Sequence, residues 1–238
     1  MSNSYFRFKQ FTIRQADTAM KVNTDGVLLG AWADTQHASR VLDVGTGTGV
    51  IALMMAQRNS SALIDAIDVD AMSVKQANEN IGRSAWTDRI NVVCESFQLF
   101  APKHRSSYDL VISNPPYFVG ALQSLDVLRT ITRHAEQLPH GSLIENSLQV
   151  LKSNGRLCVV LPYTEGTMFI AAAKEKGLYC VRKTNVLTME SKLIKRLLLT
   201  FTREVGILHE NSLCIHLPCG TTYTEEYKQL TRDFYLKF

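Results

Sequence analysis

The 238-residue sequence has no apolar run approaching the roughly 20 residues that cross a bilayer; Val50–Ala56 is among its longest. The opening stretch, Met1–Phe11, alternates aromatic and basic side chains and has no apolar signal core. Internal repeats, low-complexity tracts and an interdomain linker are also missing. The five cysteines, Cys94, Cys158, Cys180, Cys214 and Cys219, show no C-x-x-C spacing. That argues against a zinc cluster or a disulfide frame, and for reduced, mostly buried thiols. Charged residues at 20% and hydrophobic residues at 45% exclude a disordered or collagen-like chain. What these absences leave is a soluble, cytoplasmic protein of one domain, long enough to bury a real core.

The formal net charge is only +4, but its distribution is uneven. Between Lys174 and Arg203 stand eight basic residues and two acidic ones. A second basic group, Arg7, Lys9, Arg14 and Lys21, lies near the start. Such clusters can make phosphate contacts with a nucleic acid. Equally, they suit solvated loop ends and strand edges.

Periodicity divides the chain into strands and helices. Residues 5–14 suggest short strands or a hairpin, and Thr24–Ala33 a short helix capped by Thr24 or Asp25. Strands are expected at Arg40–Val44, Leu63–Asp68, Ile90–Cys94 and Tyr108–Ser113. Helices are expected at Val50–Gln57 and at Ala71–Ile81, the latter entered through Asp70. Residues 115–141 are irregular for longer than an ordinary connection, which marks a functional segment. Beyond it come a helix including Glu145–Leu151, a turn at Ser153–Gly155 and a strand at Arg156–Leu161. A helix at Thr167–Lys176, strands at Leu178–Leu187 and Lys195–Arg203, and a short helix after Tyr223 complete the reading. Alternating β and α units imply an α/β, doubly wound, mostly parallel sheet. The last two strands lack a helical crossover and should pair as an antiparallel edge. Ligands of such sheets sit at the carboxyl ends of the strands, near the switch in strand order.

Asp43-Val44-Gly45-Thr46-Gly47-Thr48-Gly49 joins the first core strand to its helix. Glycines let this backbone turn sharply and come close to a ligand. The spacing is G-x-G-x-G; a dinucleotide fingerprint requires G-x-G-x-x-G. Asp43 precedes the turn, where an acid can accept hydrogen bonds from an ammonium group. The combination resembles the S-adenosylmethionine loop of class I methyltransferases. That resemblance implies Gly45, Gly47 and Gly49 around the donor, and an acid ending the next strand to bridge its ribose, the place held by Asp68. Asp70 beside it suits a helix cap. Where an acid often holds the adenine amino group, this chain has Glu95-Ser96, with Ser96 in the aligned position; serine hydroxyl, backbone and Glu95 all remain candidates.

Ile112-Ser113-Asn114-Pro115-Pro116-Tyr117 closes the fourth core strand. Two prolines cannot continue a central strand, so the chain leaves the sheet here. Each proline pushes its predecessor toward extended geometry. Asn114 offers a side-chain carbonyl and Pro115 a backbone carbonyl, two acceptors able to grip both N–H bonds of a planar amino group. A conjugated nitrogen is a poor nucleophile. Acceptors placed for its pyramidal form favour the transition state over the flat ground state. No strong base is needed, because the N–H protons become acidic as the new C–N bond forms. Tyr117 supplies an aromatic face for a planar substrate.

Taken together, G-x-G-x-G, Asp68 and Asn-Pro-Pro-Tyr resemble the amino-methyltransferases of exocyclic nitrogens: adenine N6, guanine N2 and release-factor glutamine N5. Phe8–Ile13, Ala19–Trp32, Arg133-His134 and Tyr223–Tyr227 are similar to the bacterial family that methylates N6 of the adenosine beside the anticodon of a valine tRNA. This resemblance implies a class I Rossmann-like fold, S-adenosylmethionine as cofactor, tRNA as partner, and neither membrane nor metal. It also implies that residues 1–35 are an extension of a single domain, packed near the cofactor pocket, with Lys21, Thr24 and Asp25 bordering the donor. Arg133 and His134 then fall in the long loop, where RNA backbone can be met. Met54, Met55, Trp32 and Trp86 suit packing roles, and Cys94 a small buried hydrophobe.

Two rivals use the same site, on a release-factor glutamine or on another nucleic acid. The basic groups favour nucleic acid, and an anticodon loop is cheaper to open than a duplex. A nicotinamide oxidoreductase conflicts with the glycine spacing. A non-catalytic RNA-binding module conflicts with the intact Asp43, Asp68 and Asn114.

Overall fold

The computed structural model describes residues 4–16, 21–116 and 140–238. Tyr117, Arg133 and His134 therefore lie outside the described residues. β1 (Tyr5–Arg7) and β2 (Thr12–Arg14) pair as an antiparallel hairpin. α1 (Thr24–Trp32) leads into β3 (Arg40–Val44), α2 (Val50–Arg58), β4 (Leu63–Asp68), α3 (Ala71–Ile81) and β5 (Ile90–Cys94). A short α4 (Phe97–Phe100) precedes β6 (Tyr108–Ser113). Then come α5 (His140–Val150), β7 (Leu151–Pro162), α6 (Tyr163–Glu175), β8 (Tyr179–Met189), β9 (Ile194–Thr202), β10 (His209–His216) and α7 (Glu225–Thr231).

The main sheet has the order β10-β8-β9-β7-β6-β3-β4-β5. The switch lies at β3, which pairs in parallel with β4 on one side and β6 on the other. β9 runs against both β7 and β8, as the missing crossover required. The outer edge is formed by β10, parallel to β8. Periodicity did not mark β10, because the edge strand HENSLCIH is largely exposed and carries no apolar alternation.

Side chains of successive strand residues point to opposite faces, and here each face is covered. Cys158 and Val160 join Met54, Leu28 and Ala77 on one side. Leu157, Val159 and Leu161 join Phe100, Ile144 and Phe169 on the other. Met54 and Met55 are core, as expected. Trp32 packs as well, its indole donating to Thr184 Oγ1 at 2.9 Å beneath the Arg182 guanidinium. No helix among the described residues is long and apolar enough to cross a membrane.

Several local expectations need correction. Asn23, rather than Thr24 or Asp25, caps α1, its Oδ1 accepting from the Gly26 amide at 2.9 Å. Cys94 is exposed, and only Cys158 of the five thiols is fully buried; all five are unpaired. The basic segment does not form one face. β8 and β9 span the sheet, so Lys174, Lys176 and Arg203 lie at its amino end, while Lys192, Lys195 and Arg196 surround the β8–β9 turn at its carboxyl end. Ser153–Gly155 is not a free turn but an irregularity inside β7, where the register against β6 slips between Leu151 and Arg156.

Gly155 is required by that irregularity: an added β-carbon would lie 2.9 Å from the Tyr108 carbonyl oxygen and 2.8 Å from Leu151 Cδ2. A backbone carbonyl cannot swing aside as a side chain can. Gly155→Ala should therefore destabilise the protein by about 1–3 kcal/mol, measured as a lower denaturant midpoint with unchanged slope.

Candidate active site

Parallel pairing of β3 with β6 sets Val44 opposite Ser113. One residue further along each strand come Gly45 and Asn114, on backbones about 4.8 Å apart. The Ser113 hydroxyl reinforces the junction, donating to the Val44 carbonyl at 2.8 Å. The glycine turn is in turn sewn to the end of β4. Gly45 and Thr46 amides donate to the Ile67 carbonyl at 2.9 and 3.0 Å, and the Gly47 amide donates to Asp68 Oδ2 at 2.9 Å.

Gly45 and Gly47 both adopt the left-handed region, with φ of 72° and 55°, and a β-carbon added to either would meet no atom within 4 Å. Their outer face is open space. Gly49 serves differently, its backbone pressed against Ala77 and Ile81 of α3, where an added β-carbon would lie 3.4 Å from each.

Asp43 lies wholly buried beneath the turn. Its Oδ2 accepts from Thr46 Oγ1 at 2.7 Å and from the Ala52 amide at 3.2 Å, while its Oδ1 has no partner. Burial pushes its carboxyl up to about 7, against the pull of those two hydrogen bonds, and the neighbouring Asp68 adds to the rise. Asp68 is also raised, mainly by burial, although the amides of Asp70 and Gly47 oppose it. Two carboxyls thus sit under one open turn, both short of positive charge.

Asn114 is 9% exposed, and its Oδ1 is buried without a hydrogen-bond partner. An unpaired buried acceptor costs about 1–3 kcal/mol relative to a paired one, so this oxygen is set to receive a donor. Pro115 is buried beside it and Pro116 half-buried. A β-carbon on Gly26 would lie 3.8 Å from Asn114 Nδ2 and 3.9 Å from Val50 Cγ1. The first turn of α1 therefore closes over Asn114 at the point where α2 leaves the glycine turn.

Other expected residues fall around this centre. Ser96 caps α4, its Oγ accepting weakly from the Leu99 amide at 3.3 Å. Glu95 pairs with Lys103. Thr24 and Asp25 lie in the first turn of α1, with Asp25 held by Arg196 at 2.7 Å; Lys21 is exposed just before it.

Asn80 was not singled out by the sequence reading. It is 2% exposed; its amide donates to the Thr48 carbonyl at 2.9 Å and the Arg14 carbonyl at 3.0 Å, and accepts from the Arg14 amide at 2.8 Å. It clamps the β1–β2 hairpin to the glycine turn. The signal was present: Asn80 sits on the buried stripe of α3 with Ala77 and Ile81, an unusual place for an amide. Among the described residues no group of His, Cys, Asp and Glu is arranged to hold a metal ion.

A family model described as methyltransferase small domain matches residues 19–170. The chain is 43% identical over 240 residues to a tRNA1(Val) (adenine(37)-N6)-methyltransferase of Trichodesmium erythraeum, covering 100% of both chains. It is 42% identical over 236 residues to the protein of that name from Haemophilus influenzae strain PittGG, covering 99% of this chain and 100% of the relative. The crystal structure of a predicted O-methyltransferase from Agrobacterium tumefaciens matches with a TM-score of 0.71 at 18% identity, over 88% of this chain and 96% of that one. At that identity the likeness concerns the class I methyltransferase fold alone.

The raised Asp43 carboxyl has a measurable consequence. An acid whose pKa rises on folding holds its proton more tightly folded than unfolded. Stability is therefore lost as pH climbs from the ordinary carboxylate range to about 7, and the loss is constant above it. The melting temperature of Asp43→Asn minus that of wild type should grow between pH 5 and pH 8 in ligand-free protein. A flat difference would mean that the carboxylate is not desolvated.

Proposed function

The chain belongs to the tRNA1(Val) (adenine(37)-N6)-methyltransferase family, and from that premise we propose that the turn at Gly45–Gly49 and Asn114 together carry methyl transfer from S-adenosylmethionine to N6 of adenosine 37 in a valine tRNA. The observation that carries this reading is the buried, unpartnered Asn114 Oδ1, one residue beyond the pairing that puts it beside an open glycine turn.

The residues present fit the donor. Gly45 and Gly47 leave room above the turn, and the unpartnered Oδ1 of Asp43 is an acceptor in a region short of cationic charge. Asp68, at the end of β4, keeps lone pairs beyond those used by Gly47 and Asp70 and is the ribose acceptor. Ser96, tied up as a helix cap, reaches the adenine through its remaining lone pair or its backbone. Lys21 and Thr24 border the donor from the α1 side, and the 1–35 extension, clamped through Asn80, forms a wall of the same single domain. The donor supplies an electrophilic methyl group on a sulfonium.

Asn114 Oδ1 accepts one N–H of the adenine amino group, and the Pro115 carbonyl accepts the other. As the nitrogen becomes tetrahedral its lone pair leaves conjugation with the ring, and its N–H bonds tilt and grow more acidic. Acceptors fixed for that shape strengthen their hold at this moment, which lowers the barrier without a dedicated base. Pro116 keeps the backbone from relaxing, and Tyr117 offers the face on which the base stacks. Free thiols and a tRNA substrate support a cytoplasmic activity.

Nucleoside mass spectrometry of tRNA incubated with enzyme and labelled donor should show label in N6-methyladenosine. Label appearing only on a glutamine of a release factor would reassign the substrate. Asn114→Ala should reduce kcat by at least 10²-fold while donor affinity, read by calorimetry, stays within a few-fold. An equal loss of both would make Asn114 a donor ligand instead.

A further inference from the structure

A second concavity lies at the carboxyl edge of the sheet, away from the glycine turn. It measures about 640 Å³ and is floored by the last residues of β8 and β10, with the start of β9 and the chain's final residues as its sides. Thr24 and Asp25 of α1 form the wall toward Asn114. From β6 to β8 is three strand spacings, about 15 Å. The first turn of α1 thus stands between Asn114 and this basic, aromatic hollow.

Arg7, Lys195 and Lys237 line this hollow as exposed cations, while Asp25 in its wall is paired with Arg196. On its floor His216 stacks on Tyr223 with ring centroids 4.8 Å apart, and Tyr223 stacks on Tyr227 at 5.1 Å. Both faces of Tyr223 are therefore used. His216 ends the column, with no further ring neighbour among the described residues, and its Nδ1 is buried without a hydrogen-bond partner. A terminal ring amid excess positive charge matches an unpaired nucleotide: a flat base to stack on the ring face and a phosphate to meet the cations.

We infer that this hollow is a second RNA subsite, where an unpaired nucleotide near the target adenosine stacks on His216 while its flanking phosphates meet Arg7, Lys195 and Lys237. The inference rests on the tRNA reading above and adds where the rest of the loop is held. It assigns the RNA contact to the β8–β9 turn and the C-terminal residues, not to the whole basic stretch from 174 to 203. Lys174 and Lys176, at the opposite end of the sheet, take no part.

The test compares methylation of full-length tRNA by wild type, by Lys195→Ser with Lys237→Ser, by His216→Ala, and by Lys174→Ser with Lys176→Ser. The first double variant should raise the KM for tRNA at least ten-fold, leave kcat and donor affinity within two-fold, and flatten the slope of log affinity against log salt by about 1.4, for two single-strand phosphates. His216→Ala should raise KM, and His216→Phe should restore most of the loss. The amino-end pair should behave as wild type. Unchanged KM and salt slope in the Lys195/Lys237 variant, with wild type active on tRNA, would overturn the subsite alone. So would an equal effect from the amino-end pair, or variants that lose affinity for polyglutamate but not for tRNA. A wild type that fails to methylate any tRNA would instead overturn the reading on which the subsite rests.

Discussion

The register between β3 and β6 governs the reacting centre. Because Val44 faces Ser113 across a parallel ladder, the chain leaves both strands at the same height, once as a glycine turn and once as Asn114-Pro115-Pro116. A slip of one residue would turn every side chain of β6 to the other face. Leu110 and Ile112 would then leave the core they share with α2, and Val111 would leave the opposite one. Both faces being covered, the slip would not expose these side chains but force each into the opposite core, where the mispacking costs about 1–3 kcal/mol per site; a polar site is thus held in place through two apolar cores.

The polar groups at the glycine turn and at Asn114 are left short of partners, as the proposed methyl transfer requires. Asp43 is buried under the turn with one oxygen unpaired, and Asn114 presents another. Each is a small destabilisation of the ligand-free fold that a bound group with N–H donors relieves. Surrounding structure absorbs it: Thr46 and Ala52 hold one side of Asp43, and Ser113 pins the strand end before Asn114. The N-terminal hairpin joins the same frame through Asn80, which hydrogen-bonds the backbone at Arg14 and at Thr48 together. Glycine turn and N-terminal hairpin are therefore mechanically connected, and the first turn of α1 approaches Asn114 through Gly26.

Much of this was legible before any coordinates. β3, β4, α3, β5 and β6 begin and end where the sequence puts them, because each strand is a short apolar-rich segment bounded by turn formers and Asp70 caps α3. The glycine turn and the double proline declare themselves by residues whose backbone permits little else. What escaped notice depended on partners distant in sequence. β10 is polar because it lies at an edge, and Asn80 looks like any helical asparagine until Arg14 and Thr48 are brought to it. How the basic run from 174 to 203 divides in space is not legible in the sequence, which counts charge along a line, whereas two antiparallel strands carry that line from one end of the sheet to the other.

Local sequence encodes the shape of the proposed site: which turn is open, which amide follows the strand, and which residues lock it, since these are properties of glycine, asparagine and proline at fixed neighbours. Packing between distant segments sets the rest: which oxygens are buried and unpaired, which cations stand at the carboxyl edge, and how α1 comes between Asn114 and the basic hollow. Burial and charge proximity arise from packing between segments more than a hundred residues apart, such as Asp25 with Arg196, and no local rule encodes them.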